Sequence, residues 1–550
     1  MPEGYVSTMR KSKKHSLTQK PAVRSNDLLG NLKRGRFPAL GIFLLITAIW
    51  LVLYLPHLRT SPPWYNDETL THKTAMDLVH GQATLYGMWG TFWHPHNPYQ
   101  PFYHLLAGLF GLATNGDILG SRFFNALLAW ATALAIHFIG RRSLGRMPSL
   151  FAALMFLVYD QSVIHFRMTY AHNLCGLGIL IMTLFLLRPA SRRNDLRAGL
   201  GLALAAGAHP LFIHAATAGG ISRIKHWKSF FPLFLPAGLM VGLSLGLNFL
   251  FQRQWLFDDL SLLKYTFFSR AASDGTGAKA IENLWFFLRQ DWFHSAIALG
   301  LLVSARRRLY PILFVGGFVL FMLVKNRQNL TLFYYQAIII LPTLCLAWAS
   351  LFIFIRKSAR RYNRLAFLPG KQAACLLFLL PLIGFFHMFP LSLSGKVYAR
   401  CQYWATQSAE EVEELAKWIN ERTTETDFVP CANSISWLLK AKTANYLQIV
   451  TWYGYPTQGY DFGNKRERFR YDVSLENARY AIVGDHEKKW AFNEPNVNEL
   501  VKKLQNEKWP TVWRGSNYVI LENPKYFANA STSIDSSPSK PAPLIDSASK

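Results

Sequence analysis

The sequence contains few acidic residues and few cysteines. Asp and Glu together number 32 against 59 Lys and Arg, which gives a formal net charge of +27. The 5 cysteines show no C-x-x-C spacing, so a zinc-ribbon type of metal site is not indicated. The chain also has no phosphate-binding P-loop, no G-x-S-x-G and no G-x-G-x-x-G after a predicted strand. Nucleotide-driven and serine-hydrolase functions therefore have no support.

Long apolar runs are what the sequence has in abundance. It is 51% hydrophobic and 15% aromatic, and apolar runs of roughly 15–23 residues recur between residues 38 and 390. Because about 20 apolar residues are needed to cross the hydrocarbon of a bilayer, this pattern predicts a mainly α, polytopic helical membrane protein. The basic residues are concentrated at the N-terminus and in short loops, which is typical of the cytoplasmic side of such proteins and argues against nucleic-acid binding.

The distribution of basic loops predicts about eleven transmembrane helices within residues 38–390. Residues 1–37 are expected to be a disordered, basic cytoplasmic tail without a cleavable signal. Residues 57–117 form a long outer loop after the first span, and its segment PYQPFYHLLAGLFGLA is expected to be a helix at the membrane interface. The third span is expected at about 148–164.

A short pair of spans further along the chain is expected to be broken at His209-Pro210, since proline disrupts a helix.

The composition changes after residue 390. Residues 391–527 are expected to form a small extracytoplasmic α/β domain, and residues 528–550, rich in Ser, Pro and Ala, a disordered tail. The segment EEVEELAKWINERT has the period of an amphipathic helix, whereas DFVPCA, NYLQIV, RYAIVGD and NYVILEN are each predicted to be short strands. Cys401 and Cys431 lie on the predicted outer side, where they could form a disulfide.

The acidic pair Asp67-Glu68 stands out in the first outer loop, directly after the first span. These carboxylates could act as a general base that deprotonates an acceptor, or hold a divalent cation such as Mg²⁺ or Mn²⁺ near a phosphate. They could equally be the acidic first turn of a helix, which the following residues favour. No cofactor is certain from the sequence.

A second polar cluster lies in the same loop, in FWHPHNPYQPFYH. His94, His96, Tyr99 and Tyr103 suit contact with a sugar ring and its hydroxyls. His-x-His could also bind a metal, and the aromatic residues could belong to the belt found at headgroup depth.

Two further groups are candidates for substrate binding. Arg167, Tyr170 and His172 follow the third span and could face the same cavity, or could anchor the interface. Lys325 and Arg327 are cations on the predicted outer side of the membrane. They could bind an anion such as a lipid phosphate, or they could extend their side chains to the lipid headgroups. Tyr334, in the same segment, is a further candidate for substrate contact.

Taken in order, these segments resemble the membrane glycosyltransferases of the GT-C superfamily that use polyprenyl-phosphate sugars, which include the protein O-mannosyltransferases and the aminoarabinose transferases. The likeness covers residues 38 to 390. It rests on WYNDET, NPYQPFYHLLAGLFG, GSRFFNALLAWATALAIHFIGRRSLG, an Arg after span three, GLGLALAAGAHP and KNRQNLTLFYYQAIIILP. The resemblance implies that Asp67 activates the acceptor and that Arg327, with Lys325, binds the donor phosphate.

The chain also departs from the family pattern. Gln100 precedes Pro101 where the family often has Lys, and no Asp was found in the stretch around Tyr170 that follows the predicted third span.

The resemblance implies transfer of a sugar, with inversion, from a polyprenyl-phosphate donor to a hydroxyl or amine of a glycan, lipid or protein acceptor. The expected location is the plasma membrane, in contact with membrane lipids, with the active site on the outer side. A transporter or flippase of lipid-linked sugars is the first alternative, although polar residues gathered in outer loops rather than at mid-membrane do not favour it. A structural or sensory membrane protein is the second.

Overall fold

A computed structural model of the chain describes residues 25–81, 101–264, 277–289, 292–324, 338–361, 372, 376–397, 406–455, 466–484, 487 and 494–526. The chain divides into two compact units, Met1–Leu45 and Ile46–Lys550. The first helix begins in the first unit and ends in the second, and all contacts given below lie within the second.

Helices account for nearly all of the described residues before residue 400. They are α1 (Ser25–Tyr54), α2 (Asn66–Val79), α3 (Pro101–Leu112), α4 (Ile118–Leu134), α5 (Arg141–Leu144), α6 (Arg146–Val158), α7 (Asp160–Phe166), α8 (Ala171–Leu186), α9 (Arg192–Ala206), α10 (Phe212–Ser222), α11 (Phe230–Lys264), α12 (Gly277–Arg289), α13 (Trp292–Arg306), α14 (Val319–Val324), α15 (Leu341–Arg361) and α16 (Leu379–Leu393). A two-residue strand, β1 (Trp64–Tyr65), precedes α2. The mainly α, membrane-spanning class predicted from composition is confirmed.

Within the described residues, three helical stretches are long and apolar enough to cross a membrane, namely Ile118–Leu144, Trp227–Leu247 and Leu341–Ser358. α6 and α7 form a fourth crossing if they are one span, bent by 63°. Several apolar helices are shorter, so the expected total of about eleven spans stays a prediction.

Three boundaries differ from expectation or sharpen it. α1 begins at Ser25, so the part of the predicted disordered tail from residue 25 onward is helical. The predicted third span is two helices, because α6 ends at Val158 and α7 begins at Asp160 after a sharp bend. The break expected at His209-Pro210 is present between α9 and α10.

The C-terminal part is a small α/β domain, as predicted. Its elements are β2 (Thr406–Gln407), α17 (Ala409–Asn420), β3 (Phe428–Pro430), α18 (Asn433–Ser436), β4 (Lys442–Ala444), α19 (Tyr446–Trp452), β5 (Tyr480–Gly484), α20 (Pro495–Asn506), β6 (Thr511–Arg514) and β7 (Tyr518–Glu522). β3 is parallel to β4, and its Phe428 forms an isolated parallel bridge to Ala478, two residues before β5. β7 lies between β5 and β6 and is antiparallel to both. The apolar face of α17, with Val412, Leu415 and Ile419, is buried in the core of this domain.

One predicted strand of this domain is wrong. The segment NYLQIV forms α19 because Asn445 and Gln448 make a reciprocal capping box at its start, each side chain bonding the other's backbone N–H. The β-branched residues Ile449 and Val450 suggested a strand, but the local cap overrides that preference. Cys431 is a free, buried thiol, and Cys401, the partner considered for a disulfide, lies outside the described residues.

Candidate functional site

Asp67 lies at the start of α2, where the extended strand β1 turns into a helix. Together with Glu68 it forms the acidic first turn, which the positive end of the helix dipole favours. Asp67 is a partly buried residue. Burial raises its pKa to about 6, against a smaller opposing effect of a hydrogen bond from Tyr65. A carboxylate with a pKa of this kind is able to accept a proton near neutral pH.

Glu68 is in a different position from its neighbour. Its side chain and that of Arg122 on α4 are fully buried, and the guanidinium donates two parallel hydrogen bonds, Nε to Oε1 at 2.7 Å and Nη2 to Oε2 at 2.6 Å. The backbone N–H of Thr169 donates to Oε1 at 2.9 Å. Both carboxylate oxygens are thus engaged, which makes Glu68 a positioning residue in this geometry; its predicted catalytic role remains untested.

Arg122 extends this contact to the start of the loop. Its Nη1 donates to the backbone carbonyls of Leu58, Arg59 and Pro62 at 3.0, 3.2 and 2.8 Å. One buried guanidinium therefore ties α4 to the loop segment before β1 and, through Glu68, to the first turn of α2. The sequence interpretation did not single out Arg122. An arginine inside an otherwise apolar span calls for a buried partner, and this signal was available.

Asn125, one turn further along α4, is a second residue that sequence reasoning missed. Its Oδ1 accepts from Asn173 Nδ2 at 2.8 Å, and its Nδ2 donates to the carbonyl of Ser121 at 2.8 Å. It also exchanges hydrogen bonds with the hydroxyl of Tyr103. The Ser121 hydroxyl in turn bonds Nδ1 of His72 at 2.8 Å. This row of polar residues on α4 holds α2, α3 and α8 around one another.

A row of aromatic and imidazole rings begins at Tyr65, two residues before Asp67, and leads to the start of α8 and the break after α9. The ring of Tyr65 lies 6.2 Å from that of Tyr170, Tyr170 lies 5.8 Å from His172, and His172 lies 4.4 Å from His209, each between ring centroids. We call these four residues the aromatic wall. The structure thus brings together the first loop, the residues after the third span and the His-Pro break, and all four residues of the wall are buried.

Two predicted substrate-binding residues, Tyr103 and Arg167, have their side chains buried in contacts within the protein. The Tyr103 side chain is fully buried against Asn125. The Arg167 guanidinium is fully buried and donates to the carbonyls of Leu53, Pro56 and Ser61 and to the hydroxyl of Ser392. In this arrangement Arg167 joins the end of α1 to the end of α16. Its geometry therefore indicates a structural role.

The other predicted site residues lie outside the described part of the chain, namely His94, His96, Tyr99, Lys325, Arg327 and Tyr334. Their roles stay predictions. Within the described residues, no group of three or more His, Cys, Asp or Glu side chains is arranged to hold a metal ion.

A second carboxylate follows the third span after all. Because α6 ends at Val158, the stretch after it begins at Tyr159 rather than after residue 164, and it contains Asp160. The Asp160 side chain is partly exposed and accepts a hydrogen bond from the backbone N–H of Gln161 at 2.7 Å. The sequence analysis placed Asp160 inside the span and therefore overlooked it.

These features define a polytopic helical membrane protein with a carboxylate-bearing first loop that contacts a C-terminal α/β domain. Residues 94–212 match the family model described as dolichyl-phosphate-mannose-protein mannosyltransferase. No curated protein matches the chain at a significant level. The predicted resemblance to the GT-C glycosyltransferases is confirmed by this family match and by the fold.

Two solved structures illustrate the likeness of the fold. ArnT from Cupriavidus metallidurans, in a crystal structure bound to undecaprenyl phosphate, matches with a TM-score of 0.61 and 12% identity over 89% of this chain and 98% of ArnT. The oligosaccharyltransferase of Archaeoglobus fulgidus, tethered with an acceptor peptide, matches with a TM-score of 0.50 and 12% identity over 82% of this chain and 69% of that protein. At such low identity the similarity concerns the fold, and residue roles have to be argued from this chain.

Proposed function

We propose that this protein transfers a sugar from a polyprenyl-phosphate donor to an acceptor hydroxyl or amine on the outer face of the plasma membrane. The observation that carries the proposal is the contrast between two adjacent carboxylates. Glu68 is locked by Arg122, whereas Asp67 is partly exposed, has a pKa of about 6 and lies beside the aromatic wall. The mannosyltransferase family match and the GT-C fold support the class of reaction.

The reaction we propose is a single displacement at the anomeric carbon. Asp67 accepts the proton from the acceptor O–H or N–H as that atom bonds to the anomeric carbon. The bond from this carbon to the phosphate oxygen breaks, and polyprenyl phosphate leaves with the bonding electrons. One displacement inverts the configuration of the sugar. The predicted phosphate ligands are Arg327 and Lys325, and no step is assigned to a cation.

Support for a lipid-phosphate donor comes from the fold. ArnT, which shares it over nearly its whole length, binds undecaprenyl phosphate in its crystal structure. The four residues of the aromatic wall are buried in this structure, so the wall supports the proposal by its position beside Asp67 and not by exposed ring faces. The C-terminal domain, which contacts the Asp67 loop, is proposed to lie on the same outer side.

The test compares wild type with Asp67→Asn in membranes or detergent. Radiolabelled polyprenyl-phosphate mannose is offered first, followed by other polyprenyl-phosphate sugars, each with and without a chelator of divalent cations. We expect label to move from lipid to acceptor in wild type and about 10²–10⁴-fold more slowly in the variant, the usual contribution of a general base. The matched control is Asp77→Asn, which changes a second partly exposed carboxylate of α2 near the far end of the helix.

Equal transfer by Asp67→Asn and wild type would remove Asp67 as the base. The chelator arm shows whether transfer depends on a cation. Movement of donor across vesicles without any transfer would instead support the transporter alternative.

A further inference from the structure

The parallel strands of the C-terminal domain have an arrangement that normally creates a ligand site. β3 comes first in the chain and lies between β4 and β5. The chain runs from β3 to β4 on one side and then returns past β3 to β5 on the other, so the strand order reverses beside β3. In open α/β sheets, ligands bind outside the carboxyl ends of the strands at such a point of reversal. The residues that follow β3 at this edge are Cys431 and the short helix α18.

In this protein the same edge is occupied by α2, the helix that Asp67 begins. Trp437, directly after α18, packs edge-on against Trp64 of β1 and His72 of α2, with ring centroids 5.1 and 5.2 Å apart. Leu70 of α2 is buried in the same core as Ile435 of α18. The helix thus takes the place that a ligand has in other sheets of this kind.

Charged residues of both the C-terminal domain and α2 act on the Cys431 thiol at this edge. Burial and the Glu487 carboxylate, which follows β5, raise the pKa of the Cys431 thiol, while Lys73 of α2 acts in the opposite direction. The packing of Leu70 and His72 against Ile435 and Trp437 places α2 at this edge, and the effect of Lys73 on Cys431 agrees with that position. Geometry and electrostatics therefore place the same helix at this edge.

Two more contacts fix the segment before α2. β1 pairs with β2 in antiparallel register, Trp64 opposite Gln407 and Tyr65 opposite Thr406. Arg59 forms an ion pair with Glu413 of α17. The backbone on the N-terminal side of Asp67 is therefore held by strand pairing, and the helix on its C-terminal side is held by Trp437 and the shared core.

We propose that the C-terminal domain uses its ligand crevice to position the catalytic helix, with Trp437 as the positioning residue for Asp67. The domain then takes no soluble ligand at this edge, and its partner is α2 of the same chain. The proposal rests on the proposed function insofar as Asp67 is the base. The Nε1 of Trp437 is buried without a hydrogen-bond partner in the structure, so the contribution of this side chain comes from ring packing.

The experiment uses the full-length chain with three variants. Trp437→Ala removes the ring, and Trp437→Phe keeps an aromatic ring while losing no hydrogen bond. Trp452→Ala is the matched control, since Trp452 is a partly buried tryptophan of the same domain that packs in its other core against Phe469. Donor titrations give kcat and KM separately, and hydrogen exchange measures the protection of the amides of residues 66–79.

We expect Trp437→Ala to lower kcat by about 10–100-fold with little change in the KM for donor, because misplacement of a catalytic group by about 1 Å has effects of this size. Trp437→Phe is expected to stay within about threefold of wild type, and Trp452→Ala likewise. Exchange within α2 is expected to rise only in Trp437→Ala. Unchanged kcat and unchanged exchange in Trp437→Ala would overturn the proposal, as would an equal loss in Trp452→Ala.

Failure of the proposed function has a different signature. If wild type transfers no sugar from any lipid phosphate, the exchange measurement still decides whether Trp437 holds α2. If wild type transfers sugar but Asp67→Asn does too, faster exchange in Trp437→Ala would support the domain contact alone and remove its connection to a base.

Discussion

Replacing Glu68 by Gln is expected to destabilise the fold, whereas replacing its neighbour Asp67 by Asn is not. Glu68→Gln keeps the shape of the side chain but leaves the buried Arg122 guanidinium without its counter-charge. Removing one partner of a buried ion pair costs about 3–5 kcal/mol. We expect the lower end, because the Nη1 of Arg122 keeps its three backbone carbonyl acceptors.

Asp67→Asn changes the stability in the other direction. Burial raises the pKa of Asp67 to about 6, so the folded state favours the neutral carboxyl group. Ionisation of Asp67 above that pH therefore destabilises the folded state. An uncharged Asn does not cause this destabilisation, so at pH 7.5 the variant is expected to unfold at or above the wild-type temperature. Any loss of sugar transfer in Asp67→Asn is therefore not a consequence of unfolding.

The assay is thermal unfolding of purified protein in detergent, followed by sugar transfer per folded molecule. Glu68→Gln is expected to lower the unfolding temperature by several degrees while the folded fraction retains measurable transfer. The double variant Glu68→Leu/Arg122→Met removes both charges and is expected to recover part of the stability, since apolar replacement of a buried pair is often tolerated. If Glu68→Gln unfolds at the wild-type temperature yet abolishes transfer, Glu68 is catalytic and the reasoning is wrong.

Two further predictions concern the same loop. Transfer should be half-maximal near pH 6, where half of Asp67 is ionised, reach a plateau about one pH unit higher and fall below pH 6, because a base acts only when ionised. A profile of initial rate that is flat down to about pH 4.5 would exclude this assignment. Gly108→Ala should destabilise the protein by about 1–3 kcal/mol, because a Cβ at this position of α3 would lie 2.4 Å from the carbonyl oxygen of Ala75 on α2. Thermal unfolding measures this effect, and Gly242→Ala on α11 serves as its control, since a Cβ there would meet no atom within 4 Å.

Much of the fold followed from periodicity and composition. Apolar runs predicted the helical membrane class, and the spacing of Val412, Leu415 and Ile419 predicted the amphipathic α17. The bend after α6 did not follow, because the apolar run continues across Tyr159 without a proline or glycine at the break. Asp160 was the overlooked signal, since a carboxylate in the middle of a span requires either a partner or an end to the helix.

The sequence predicted part of the candidate site, but the buried partners Arg122 and Asn125 were missed. The sequence left open whether Tyr170 and His172 face the first-loop cavity or anchor the interface. The structure places Tyr170 beside Tyr65, and His172 beside Tyr170. That Glu68 would be locked and Asp67 left accessible could not be predicted, because it depends on which carboxylate meets Arg122 across a separation of more than fifty residues. Tertiary packing decides which residues pair over so long a sequence separation. A local sequence pattern cannot distinguish two adjacent acidic residues.

The pairing of β1 with β2 has a consequence for how the protein is made. Tyr65 and Thr406, which lie opposite each other, are 341 positions apart in the chain. At a synthesis rate of roughly 5–20 residues per second, the ribosome needs about 17–70 s to travel from one to the other. During that interval the first loop has already emerged, but the strand that completes it does not yet exist. The nascent protein therefore passes through most of its membrane insertion with its Asp67 loop unassembled, and a strand synthesised more than three hundred residues later completes the loop.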